Sequence, residues 1–242
     1  MKITAKTDIG LVRSTNEDTY TFIKKDDDNF LAFVCDGMGG HLGGSFASAK
    51  AVEMINESFN SFTSKKITKS IGVWLFEAIT KINAFIYEHS ISHENLKGMG
   101  TTITGVIKLN NEMYYAHIGD SRIYIYNKDE LRQITTDHTY VNTLLLNGLI
   151  TYKQSLKHPK KHVLTNALGI KKSVSVDIGQ ISLKENDNLL ICSDGLHNLL
   201  DGKKLLKILN EKVDIELKGN LLKEKALSNG GLDNITLILL EK

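Results

Sequence analysis

Phe30-Leu-Ala-Phe-Val-Cys-Asp36-Gly37-Met38-Gly39-Gly40-His41 is the stretch whose reading decides the fold: an apolar run of buried-strand character meets an acid and a glycine turn, and helical periodicity follows. Two further runs end in the same way, Met113-Tyr-Tyr-Ala-His-Ile-Gly119 before Asp120 and Asn188-Leu-Leu-Ile-Cys-Ser193 before Asp194. A fourth is reversed, with Asp233 preceding Asn234-Ile-Thr-Leu-Ile-Leu-Leu240. If that strand pairs antiparallel with the one ending at Asp194, two acids distant in sequence share one sheet edge. Carboxylates crowded at the rim of an apolar core need protons or a cation, and an all-oxygen cluster suits a hard divalent metal.

The chain has 242 residues, 41% apolar and 24% charged, enough for a sizeable core and expected to form a single domain. A formal net charge of +2, with lysines interleaved among acids, leaves no basic stripe for nucleic acid or an anionic membrane. The apolar runs fall short of the ~20 residues that a membrane helix requires. Met1-Lys-Ile-Thr-Ala-Lys-Thr7 starts a strand-like pattern without a signal-peptide core, so a cytoplasmic location is expected. Cys35 and Cys192, the two cysteines, read as small buried hydrophobes, free thiols that could neighbour each other across a sheet.

Strand-like segments lie at about 3–7, 18–24, 29–35, 102–109, 112–118, 121–126, 131–135, 174–182, 188–193 and 234–240. Turn signals at 26–29, 110–111 and 127–129 imply antiparallel hairpins. Helical periodicity spans about 43–62 (Ala47, Ala51, Met54, Ile55, Phe59) and 70–92 (Trp74, Ala78, Ile82, Phe85, Ile86), with further helices at 139–147, 202–212 and 215–228. Strands in blocks and helices in pairs make an α+β pattern with helices packed on sheets. The polar stretch Thr151 to Lys161, holding the only proline, Pro159, reads as a surface excursion, either a flap or an ordinary loop.

Several short motifs have two readings. Asp36-Gly37 can turn a carboxylate and a carbonyl toward one cation, yet Asp-Gly is also a common turn, as Asp201-Gly202 is expected to be. Arg13, close to Glu17 and Asp18, can grip a phosphate or form a solvated ion pair. Ile118-Gly119-Asp120-Ser121-Arg122 joins two strands as a tight turn, and Asp137 or Thr139 caps a helix. His89, His93, His158 and His162 are expected on the surface and His117 in the sheet.

Taken in order, Arg13-x-x-Asn-Glu-Asp18, Asp36-Gly-Met-Gly-Gly-His41, Gly100-Thr-Thr102, Ile118-Gly-Asp-Ser-Arg122, Thr136-Asp-His138, Ser193-Asp-Gly195 and Gly231-Leu-Asp-Asn234 resemble the motif set of the metal-dependent, type 2C serine/threonine protein phosphatases, above all the compact bacterial ones. The likeness runs from about Thr4 to Leu240. It implies a four-layer α-β-β-α sandwich, two central antiparallel sheets flanked by antiparallel helix pairs, with 1–242 as one catalytic domain and a flap at about 139–170. It also implies two divalent cations, Mn2+ or Mg2+, held by Asp36, the Gly37 carbonyl, Asp194 and Asp233, with a third at Asp120 and Asp194. Glu17 and Asp18 would act through water, Arg13 would bind phosphate, and a water or hydroxide bridging the metals would attack phosphorus.

Met38 stands where animal members carry a histidine general acid, so the resemblance leaves the proton to His41 or to water. Asn166 stands where arginine is frequent. The expected substrates are phosphorylated proteins made by a bacterial serine/threonine kinase, and a monomer is expected. The alternatives are a catalytically silent phosphoprotein-binding module of the same fold and a dedicated partner-switching phosphatase.

Overall fold

The computed structural model describes residues 1–63, 70–110 and 112–242, and His41 by its backbone alone. Among these residues two antiparallel sheets stack face to face, each covered outside by helices. The first sheet runs β1 (Lys2–Asp8), β11 (Ile235–Glu241), β10 (Asn188–Cys192), β7 (Arg122–Tyr126), β8 (Leu131–Gln133). The second runs β2 (Asp18–Lys24), β3 (Asn29–Met38), β5 (Ile103–Leu109), β6 (Glu112–Ile118), β9 (Asp177–Ile181), with β4 (Gly100–Thr101) paired to the end of β3.

The period of two along each strand explains why these runs are apolar without alternation. On β3, Phe30, Ala32 and Val34 enter the layer between the sheets, while Leu31, Phe33 and Cys35 pack against the helices outside. On β10, Leu189 and Ile191 point inward and Leu190 and Cys192 outward; on β11, Ile238 and Leu240 oppose Leu237 and Leu239 in the same way. Three apolar layers therefore hold four structural layers together.

Helices α1 (His41–Thr63) and α2 (Ile71–Ser92) bury the stripe predicted from spacing, including Ala47, Ala51, Ile55 and Phe59 on α1 and Trp74, Ala78, Ile82 and Ile86 on α2. Helices α6 (Gly202–Leu209) and α7 (Ile215–Ser228) cover the other face through Leu205, Leu209, Leu222 and Ala226. Asp201 is the N-cap of α6, its side chain accepting from the Lys204 amide at 2.9 Å, so the plain turn expected there is a helix start. Cys35 and Cys192 are free and buried, but they lie in different sheets and face opposite outer layers, so they are not neighbours. Asn111 of the expected 110–111 turn lies outside the described residues; Asn110 has a φ of +56°.

The 139–170 segment contains α3 (Tyr140–Leu146) and the single turn α4 (Tyr152–Ser155). Thr139 caps α3, and the segment closes on itself where the Tyr140 amide donates to the Val163 carbonyl at 2.8 Å and the Thr165 amide to the His138 carbonyl at 2.8 Å. No helix among the described residues is long and apolar enough to cross a membrane.

His117 is fully buried on β6, with Nδ1 beside the Thr104 hydroxyl at 2.8 Å and Nε2 beside the Thr136 carbonyl at 3.0 Å. Burial pushes its pKa down from 6.5 to about 4. Between those values the unfolded chain binds a proton that the folded chain refuses, so this group loses stability as pH falls from 6.5 through about 4 and contributes no slope above. The stability gap between wild type and His117→Gln, measured by urea unfolding, should shrink by about 2 kcal/mol between about pH 7.5 and about pH 5. A gap independent of pH would contradict the neutral, buried imidazole.

Candidate active site

Five chain segments deliver acids to one end of the sandwich. Asp18 opens β2 directly opposite Asp36 near the end of β3, as their strand register shows. Asp120 sits in the turn between β6 and β7, and Asp194 starts α5 (Asp194–His197) immediately after β10. Asp233 lies just before β11, which pairs antiparallel with β10 as the sequence implied. A cleft of about 910 Å³ opens over them, lined by Arg13, Glu17, Asp36, Gly37, Asp120, Asp194 and Asp233. Asp18 lies beneath its floor, accepting the Ser193 hydroxyl at 2.7 Å. The side chain of His41 lies outside the described residues.

The backbone around each acid is fixed by neighbours of little note in the sequence. The Asp36 amide donates to the Thr102 hydroxyl at 2.9 Å, the Thr102 amide returns a bond to the Asp36 carbonyl at 2.8 Å, and the Thr101 hydroxyl adds one at 3.0 Å. Gly37 is required by contact: a Cβ there would collide with the Gly44 and Glu17 carbonyls. At Gly195 a Cβ would strike the Asn234 carbonyl, so β10 and β11 approach as closely as the two acids need. The Asp120 carbonyl accepts from His197 Nε2 at 2.9 Å, while the Gly119 amide donates to His138 Nδ1 at 3.1 Å.

Asn234 ties down the loop that carries Arg13 and Glu17. Its Nδ2 donates to the Ile9 carbonyl at 2.9 Å and the Thr15 carbonyl at 3.0 Å, and its Oδ1 accepts the Glu17 amide at 2.8 Å. Arg13 Nη2 meets Asp233 Oδ2 at 2.7 Å, half exposed to the cleft, so this ion pair is with an acid 220 residues away and not with the neighbouring Glu17 or Asp18. Asp137 does not cap α3. Arg122 holds it through bonds of 2.8 and 2.6 Å from Nε and Nη2, next to the turn of Asp120. Asn166 turns away to the Ser175 carbonyl at 2.8 Å, whereas Met38 and the exposed His162 both line the cleft, His162 Nδ1 lying 3.9 Å from Asp194 Oδ2.

Burial followed by repulsion from neighbouring acids raises Asp36, Asp194, Asp120 and Asp18. Asp36 stands well above the carboxylate range through desolvation and then Asp18, Asp194, Asp120 and Asp233. Asp194 does so through desolvation, Asp120, Asp233 and Asp18. Burial lifts Asp120 to about 7, with Asp137 adding to it, and lifts Asp18 to about 6 against the opposing hydrogen bond from Ser193. Such a site stores unfavourable charge that hard cations would relieve. Among the described residues no three His, Cys, Asp or Glu side chains stand close enough to hold a metal ion by themselves, so a cation here would need further oxygen donors. The donor set, all oxygen, fits the magnesium or manganese class.

Sequence reasoning placed the acids but assigned no role to Asn234, Ser193, Thr102, His138 or His197. Four of these lie inside the quoted motifs and His197 two residues beyond Gly195. Motif membership was their signal, and only the hydrogen bonds show what they hold.

Comparison with known proteins agrees with this fold. The family profile described as Protein phosphatase 2C matches residues 12–224. The serine/threonine phosphatase stp of Listeria monocytogenes serotype 4b is 37% identical over 237 residues, covering 98% of this chain and 94% of that protein. Protein phosphatase PhpP of Streptococcus pneumoniae strain D39 is 34% identical, covering 99% and 96%. The crystal structure of serine/threonine phosphatase Stp1 from Staphylococcus aureus superposes with a TM-score of 0.92 at 32% identity, covering 100% of this chain and 94% of that one.

Asn234→Ala removes three bonds at a buried position, those to the Glu17 amide and to the Ile9 and Thr15 carbonyls. Urea unfolding should show a loss of about 2–4 kcal/mol, with faster hydrogen exchange at the Glu17 amide. Unchanged stability and exchange would show that the loop is held by other contacts.

Proposed function

The chain belongs to the protein phosphatase 2C family and is a protein serine/threonine phosphatase, and we propose that residues 1–242 act as one catalytic domain hydrolysing phosphoserine and phosphothreonine in the acid-lined cleft. The carrying observation is the convergence of Asp36, Asp120, Asp194 and Asp233 on that cleft with Arg13 at its mouth. The intact acid set favours turnover over a silent binding module.

In this reading Asp36, the Gly37 carbonyl, Asp194 and Asp233 hold two cations of the Mn2+ or Mg2+ type, Asp120 and Asp194 a third, and Glu17 and Asp18 act through water. When bound, the cations supply an activated water at neutral pH and screen the phosphoryl charge. Arg13 contributes N–H donors aimed into the cleft, where a phosphate can take over the guanidinium that Asp233 holds at 2.7 Å. Thr102, Asn234 and the β10–β11 contact keep the acids and Arg13 from relaxing apart, so the charge arrangement is present before substrate arrives. The leaving alkoxide needs a proton that the Met38 thioether cannot give, and His41 is the residue we assign to test for it. The substrates are phosphoproteins made by a serine/threonine kinase, and the 139–170 segment serves as a flap beside the cleft.

Hydrolysis of a phosphothreonine peptide should require added Mn2+ and should disappear in Asp194→Asn; wild type binding Mn2+ without turnover would favour the silent module. Arg13→Ala should lower kcat/KM by roughly 10–100-fold while Mn2+ affinity measured by calorimetry changes little. Equal loss of both would place Arg13 in the metal site instead. His41→Ala should remove the alkaline limb of the pH–rate profile, since a general acid must hold its proton to act, and an unaltered limb would return the proton to water.

A further inference from the structure

The 139–170 segment contains four lysines, Lys153, Lys157, Lys160 and Lys161, two histidines, and no aspartate or glutamate in 32 residues. In a chain whose net charge is only +2, this concentration is local, and it reaches the cleft at Lys161 and His162. All four lysines are exposed. None has a carboxylate partner among the described residues, in contrast with Lys108, which meets Asp28 at 2.6 Å, and Lys218, which meets Glu241 at 2.6 Å. Lys160 lies over the Tyr140 ring, 5.4 Å from its centroid, which steers the ammonium without neutralising it. Lys161 and His162, which directly follow Lys160 in the chain, line the cleft itself.

The same cleft is lined by Val12, just before Arg13, and by Leu232, just before Asp233, both exposed apolar side chains. It thus presents basic and apolar side chains around the acids. A peptide whose phosphate reaches the floor must carry its flanking residues past these side chains, since positions two or three removed lie about 7–10 Å away along an extended chain.

Resting on the phosphatase reading above, we propose that the lysine-bearing segment is a substrate-selecting surface, and that the preferred substrates are phosphopeptides with aspartate or glutamate within about three residues of the phosphorylated side chain on one flank. The lysines raise the local concentration of acidic chains and hold their carboxylates by solvent-exposed pairing, so the preference sits in KM and weakens with salt.

The test uses three phosphothreonine peptides of one length, with glutamates on the N-terminal flank, glutamates on the C-terminal flank, or glutamines throughout. Each is assayed with Mn2+ at low and high salt against wild type and the Lys157→Gln/Lys160→Gln/Lys161→Gln variant. The readout is the ratio of kcat/KM between glutamate and glutamine peptides, in which any general loss of activity cancels. Wild type should favour one glutamate peptide by roughly tenfold at low salt, mainly through KM, and both high salt and the triple variant should bring the ratio close to unity. Equal handling of all three peptides by active wild type overturns the proposal, as does a preference that survives in the triple variant. If none of the peptides is hydrolysed, the phosphatase reading beneath the proposal fails, a result separable from either.

Discussion

Carboxylates that repel one another at the end of a dry sandwich are the constraint on which the rest of the structure depends. Asp36, Asp120 and Asp194 are each raised by burial and by other acids of the group, an arrangement that folding alone would not retain. It persists because each acid is attached to an element that cannot retreat. Strands β3 and β10 are buried on both faces, and moving either end outward would disrupt two apolar layers at once. The cost is met by the core, and the site inherits its rigidity.

That dependence accounts for the small residues around the cleft. Glycine at 37 and 195 allows backbones to close until a carbonyl and two acids can share one region, and the threonine pair on and after β4 fixes the peptide of Asp36 from the far side. Asn234 performs a similar service for the loop of Arg13. These side chains hold the backbone beneath the acids, and the charge arrangement exists only while they do. The 139–170 segment is anchored at its end, where Leu168 is buried in the layer under α1 and α2 and the Gly169 amide donates to Asn83 Oδ1 at 2.9 Å, while its lysines stay exposed.

The fold was legible because β3, β10 and β11 are uninterrupted apolar runs and α1 and α2 keep a clean helical stripe, so pattern alone separates strand from helix. Short elements were not legible: β4 and α4 are too brief to carry a period, and their existence depends on partners elsewhere, the end of β3 and the capping box of Thr151 and Gln154. The four principal acids could be found because a charge ending an apolar run is costly and therefore informative. Asp137 misled local reasoning, since its position before a helix suggests a cap, whereas the bidentate grip of Arg122, fifteen residues away, decides its role. The cysteine pair misled in the same manner, because sequence shows that each is in a strand but not in which sheet. His162 was read as an ordinary surface residue, and only the course of the 139–170 segment brings it to the cleft.

If the acids are kept against the preference of the fold for the sake of a cation, removing one charge must have opposite effects on the two states. The decisive measurement is the melting temperature of wild type and Asp36→Asn, each with and without Mn2+. The account predicts that the metal-free variant melts at or above the metal-free wild type, and that Mn2+ raises the melting temperature of wild type alone. A variant that is less stable without metal and is stabilised by Mn2+ as strongly as wild type would contradict it.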